Sequence, residues 1–102
     1  MSDIGDARKA LVRRVLEGAG KTSSSERRAA FHNSGLAGPL GALVDKVVRQ
    51  AYRVTDEDIN AARVSGLSED QVFEILVCAA IGQATRQYDT ALSALDAATG
   101  KA

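Results

Sequence analysis

Ser68-Glu69-Asp70-Gln71-Val72-Phe73-Glu74-Ile75-Leu76-Val77-Cys78-Ala79-Ala80-Ile81-Gly82 reads as the first half of a long helix. Ser68 suits the N-cap, and Glu69 and Asp70 fall in the first turn, where the helix dipole favours acids. From Val72 to Ile81 the segment is apolar on nearly every side, interrupted by Glu74, so it asks for burial all round. The helical pattern continues to about Ala98, and Gly100 suits its stop. A helix of about 30 residues is about 45 Å long, whereas a compact domain of this size has a radius of gyration near 13 Å. A straight helix would therefore protrude, unless it bends near Gly82 or a neighbouring subunit covers it. Ala80, Gly82 and Ala84 are small enough to let another helix approach closely. The expectation is an obligate homo-oligomer assembled through this helix.

Working towards the N-terminus, Thr55 with Asp58 reads as the N-cap of a helix reaching about Val64, with Ile59 and Ala62 inward and Ser65-Gly66 as its break. Before it, Leu40, Leu43, Val44, Val47, Val48 and Ala51 form a wide apolar helical face, beginning near Pro39. Asn33 to Gly41 holds three glycines and the only proline, which marks a loop or boundary. Ser23 and Glu26 are spaced as a capping box for a short helix over Ser24–His32. A first helix is expected from Asp6 to Glu17, with Ala7, Leu11, Val15 and Leu16 inward and Gly18 and Gly20 ending it. No segment alternates apolar and polar residues as a strand does. The prediction is one all-α domain: a helical bundle with one long C-terminal helix, residues 39–102 forming the core and 1–38 an N-terminal helical extension.

The chain has 102 residues, with 13 basic and 13 acidic side chains. That balance argues against general nucleic-acid or anionic-membrane binding. The charges are segregated: residues 1–53 carry ten Lys/Arg against five Asp/Glu, and residues 54–102 carry three against eight. The two halves are thus +5 and −5, which fits neutralising faces within one fold or head-to-tail contact between subunits. No apolar stretch reaches the roughly 20 residues that span a bilayer. Met-Ser-Asp-Ile-Gly-Asp lacks the charged and apolar regions of a signal peptide, so a reducing, cytoplasmic setting is expected. One cysteine, Cys78, and one histidine, His32, leave no basis for a disulfide, a metal site or a cofactor.

Six places could carry chemistry. Gly18-Ala19-Gly20-Lys21-Thr22 ends like a phosphate loop, but Val15 stands where that loop needs its first glycine, and a helix precedes it where a strand should. Cys78, on an apolar helix, is either an inert core thiol or a reactive one. His32, near Arg27 and Arg28, is either exposed or part of an anion site. Gln83, Arg86, Gln87, Tyr88 and Asp89 cluster where the long helix turns polar; Gln83 and Arg86 share a face. Arg86 could clamp a carboxylate there, or the cluster could be an interface network. Asp56, Glu57 and Asp58 are explained by their position at a helix start. As general acid or base, Glu74 is the better candidate and Asp58 the weaker, since a carboxyl within an apolar run is where a raised pKa is expected.

Leu40 to Asp96 resembles the carboxymuconolactone decarboxylase family, which includes the AhpD-like alkylhydroperoxidases. Gly66-Leu67-Ser68-Glu69-Asp70-Gln71-Val72-Phe73-Glu74 is similar to the turn that precedes that family's long helix. Counting back from Gly66, the family's Cys-x-x-Cys-x-x-x-His motif falls on Ala51, Val54 and Asp58, and its upstream glutamate on Pro39. The resemblance thus implies an α-helical fold and assembly into dimers, trimers or hexamers. It implies no peroxidase chemistry, because that needs a low-pKa thiolate and a resolving thiol. Two functions follow: a non-catalytic binding or assembly module, or a decarboxylase-like enzyme acting on a small lactone or acid without thiol chemistry. For a small-molecule ligand, a pocket where the long helix meets the Leu40–Tyr52 helix would offer Tyr52, Asp58, Arg86 and Tyr88.

Overall fold

The computed structural model describes residues 2–100. It is all-α: α1 (Ser2–Glu17), α2 (Ser24–His32), α3 (Gly38–Gln50), a 3-10 turn (Ala51–Arg53), α4 (Asp56–Val64) and α5 (Glu69–Ala98). The starts of α2, α4 and α5 are set by local chemistry. Ser23 with Glu26, Thr55 with Asp58, and Ser68 with Gln71 each form a reciprocal capping box that satisfies two otherwise free amides. α3 begins one residue before Pro39, at Gly38, without a side-chain cap. α1 begins four residues earlier than its apolar pattern indicates. It runs through Gly5, where one glycine costs a helix only about 1 kcal/mol and does not break it.

The core lies where α2, α3 and α4 meet the first half of α5. Ala30, Leu40, Leu43, Val44, Ala62, Val72, Ile75, Cys78 and Ala79 are its buried residues. On α3 only the front of the expected apolar face is buried; Val47 and Val48 are half-buried and Ala51 is exposed. α1 keeps less of its pattern inside: Leu16 is buried, Val15 half-buried, and Ala7 and Leu11 exposed. The segment before Gly38 nevertheless belongs to the packing, because α2 lies across α5 with Ala30 and Phe31 buried.

α2 and α5 cross at Gly82. A Cβ at Gly82 would overlap the carbonyl oxygen of Phe31, so only glycine admits this approach. Arg86, one turn further, donates to that same carbonyl at 2.6 Å. The oxygen ends α2, and the guanidinium supplies a donor that the helix lacks there. α5 passes through Gly82 without interruption, and the molecule measures 51 × 29 × 20 Å. From Gln87 to Ala98 every residue of α5 is exposed. No helix among the described residues is long and apolar enough to cross a membrane.

Candidate functional site

α5 is only half covered. Val72, Ile75, Cys78, Ala79 and Gly82 face the core. On the opposite side Phe73, Val77, Ala80, Ala84, Tyr88, Ala91 and Leu95 follow one another at steps of three or four, so they share one stripe. Phe73 is 68% exposed and Leu95 58%. Ala80, Ala84, Tyr88 and Ala91 are also exposed, and Val77 is half-buried. The expectation that Val72 to Ile81 is buried all round therefore holds for one face only. The helices of this chain are too few to wrap the other, which is a continuous apolar seam about 33 Å long.

α1 runs antiparallel beside this seam. Arg8 stacks on the Tyr88 ring at 4.8 Å and pairs with Asp89 at 3.3 Å, while the Cys78 thiol reaches the Val15 carbonyl at 3.6 Å. Between the two helices lies a cavity of about 180 Å³, lined by Arg14, Val15, Ala19, Arg27, Phe73, Glu74, Val77 and Cys78.

At one side of this cavity sits the most densely bonded polar cluster of the molecule. The Glu74 carboxylate accepts from the Lys21 amide at 2.8 and 2.9 Å, the Thr22 amide at 3.0 Å and the Thr22 hydroxyl at 2.8 Å. Buried Arg27 donates from Nε to the Thr22 hydroxyl oxygen and from Nη1 to the Gly18 carbonyl, and its Nη2 stands 3.7 Å from Glu74. A Cβ at Gly20 would press on the Arg27 guanidinium and the Glu74 carboxylate, so a side chain there would displace this pair. The Gly-Ala-Gly-Lys-Thr loop thus presents the amides of Lys21 and Thr22 to an anion, and that anion is a side chain of α5.

This geometry reverses the expectation for Glu74. The Lys21 amide, together with the Thr22 donors and Arg27, holds the carboxyl below its usual value of 4.5, outweighing burial. An ionised, fully engaged carboxylate does not have the raised pKa that acid–base work in an apolar site requires. Asp58 is likewise lowered, first by Lys46 at 2.9 Å and then by the Thr55 amide that it caps. For Cys78, burial pushes the thiol up, which disfavours the reactive thiolate.

The four polar groups proposed to line one pocket stand apart. Tyr52, in the 3-10 turn, is 84% exposed. Asp58 is engaged by Lys46, and Tyr88 by Arg8. Arg86 is bound to Phe31 and Gln83 and lines a shallow depression with His32, Asn33, Val48 and Arg49. Arg86 and Gln83 do share a face and a hydrogen bond of 3.1 Å, but among the described residues no carboxylate pairs with the guanidinium. His32 is exposed and packs edge-on against Phe31. Among the described residues no three His, Cys, Asp or Glu side chains gather as a metal site would require. Sequence reasoning missed Phe73 and Leu95 as surface residues and Lys21 and Thr22 as Glu74's partners. The 3–4 spacing groups the first pair on one stripe without saying whether it is covered, and nothing local announces the second, which joins positions over 50 residues apart. No known protein family, characterised protein or solved structure matches the chain.

Proposed function

We propose that this chain is a non-catalytic assembly module that forms a homo-oligomer through α5, an AhpD-like helical protein without the redox motif. The observation that carries the reading is the apolar seam from Phe73 to Leu95. Apolar patches of that extent on a helix mark interaction surfaces rather than ordinary exposure. The carboxylates and the thiol point the same way, because each is committed to structure: Glu74 to the Lys21–Thr22 loop, Asp58 to a cap and Lys46, Cys78 to the core. The family likeness supports the fold and the tendency to assemble, while Ala51, Val54 and Asp58 leave its thiol chemistry without donors.

Analytical ultracentrifugation of the full chain tests this. The expected result is a concentration-dependent oligomer that Phe73→Lys with Leu95→Lys converts to monomer while the helical circular dichroism is retained. A wild-type monomer at all concentrations up to about a millimolar, the weak end of specific association, would overturn the proposal.

A further inference from the structure

We infer that the cavity between α1 and α5 is a binding site for a small carboxylate with an apolar body, about the size of benzoate. Val15 of α1, Ala19 of the loop and Phe73, Val77 and Cys78 of α5 form its apolar wall, and Arg14, Arg27 and Glu74 its polar side. An apolar wall with a few convergent polar groups is how small-molecule sites are built. The volume of about 180 Å³ suits one ring carrying one polar group, since an apolar cavity of about 150 Å³ takes benzene.

The polar side is arranged for an anion. Arg27 is 5% exposed, so its guanidinium belongs to the interior. Its Nε and Nη1 donate to Thr22 and Gly18, while Nη2 donates to nothing among the described residues and has Glu74 only at 3.7 Å. A guanidinium nitrogen shut away without an acceptor is costly. The one side-chain nitrogen or oxygen that is both fully buried and unpartnered among the described residues is Arg8 Nε. Arg27 Nη2 therefore keeps an open approach, and the cavity that Arg27 lines supplies it. Glu74 does not fill that need, because its two oxygens already accept from the Lys21 amide and from Thr22. Arg14, also in the lining, is exposed and forms no ion pair among the described residues. Two cations against one committed carboxylate leave the lining with one surplus positive charge, which a monoanion matches. A carboxylate at Arg27 Nη2 and Arg14, with its ring among Val15, Val77 and Cys78, answers the free donor, the charge and the apolar wall together. A neutral ligand would leave the charge unmatched.

Titration of the full chain with sodium benzoate at neutral pH, followed by amide NMR shifts, tests the site. Saturable shifts centred on Val15, Ala19, Val77 and Cys78 are expected, with a Kd of about a millimolar or tighter, the weak end of specific association. Benzamide, of the same shape without the charge, should bind at least about tenfold more weakly. Arg14→Gln should weaken benzoate about threefold, as for an exposed charge. Val77→Phe should fill the cavity and abolish the shifts. Ala19→Leu, at an exposed loop residue, should do the same and serves where Val77→Phe disturbs folding. Absence of saturable shifts with benzoate up to about 10 mM, ten times the expected Kd, would overturn the inference. So would shifts that survive in Ala19→Leu, or equal binding of benzamide. The site does not rest on assembly through α5: a monomer that binds benzoate keeps it, and an oligomer that does not bind removes it alone.

Discussion

The two faces of α5 have nearly the same chemistry and opposite surroundings. The inner one, Val72, Ile75, Cys78, Ala79 and Gly82, is pressed against α2 and α3; the outer one, Phe73 to Leu95, meets only the edge of α1. Hydropathy does not separate them: Phe73 is as apolar as Ile75, yet one is 68% exposed and the other 0%. What separates them is supply. Three short helices and the crossing at Gly82 cover one side of a 30-residue helix, and among the described residues little covers the other. The second apolar side is left exposed.

The sharpest way to break this contrast is to truncate one residue on each face. Ile75→Ala should lower unfolding free energy by about 3–4 kcal/mol, as loss of a fully buried branched side chain leaves a cavity. Phe73→Ala, measured by urea denaturation at a concentration where the chain is monomeric, should change it by no more than about 0.5 kcal/mol. Equal losses would mean that the seam is covered within the monomer.

Gly82→Ala should follow, at about 2 kcal/mol, because the added methyl drives α5 off the Phe31 carbonyl and loosens the Arg86 bond to it. Ala84→Gly, a small-residue change two positions on but on the exposed side, should cost only the helix propensity of glycine, about 1 kcal/mol. Thermal unfolding of both variants gives the comparison directly, and a larger loss from Ala84→Gly would misplace the crossing.

These contrasts also show what the sequence made legible. Helix positions were, because caps and periodicity are local: Ser23–Glu26, Thr55–Asp58 and Ser68 each announce a start. The apolar face of α3 and the small size of Gly82 were readable too, but not that only the front of that face is buried or that Gly82 admits α2. Which side of α5 stays bare was not, since that depends on how many turns of α2, α3 and α1 fall beside it. The pairing of Glu74 with Lys21 and Thr22 was hidden for another reason. A glutamate in an apolar run looks like a buried acid until a loop from the far end of the chain supplies its donors. The Gly-Ala-Gly-Lys-Thr segment lacks the first glycine and the strand of a phosphate loop, and nothing in it discloses that its amides hold an internal carboxylate.

That internal anion gives the smallest effect and one with a definite pH signature. Glu74 lies at the boundary of the two faces and ties the α1–α2 loop to α5, so its charge matters to the monomer as Asp89's does not. The folded pKa of Glu74 is depressed, so its contribution to stability is complete above its ordinary value of 4.5. It is lost as pH falls through the lower folded value, because the unfolded chain takes up the proton first. Glu74→Gln removes that dependence and keeps one acceptor for the loop amides. At pH 7 it should cost on the order of 1 kcal/mol, discounted for the partial exposure of the group. Asp89→Asn, which loses only an exposed pair with Arg8, should change stability by no more than about 0.5 kcal/mol. As the pH is lowered past 4.5, urea midpoints of wild type and Glu74→Gln should converge. A constant gap between wild type and Glu74→Gln over that range would mean that the carboxylate charge does not hold the loop, and that the amides of Lys21 and Thr22 need only an oxygen.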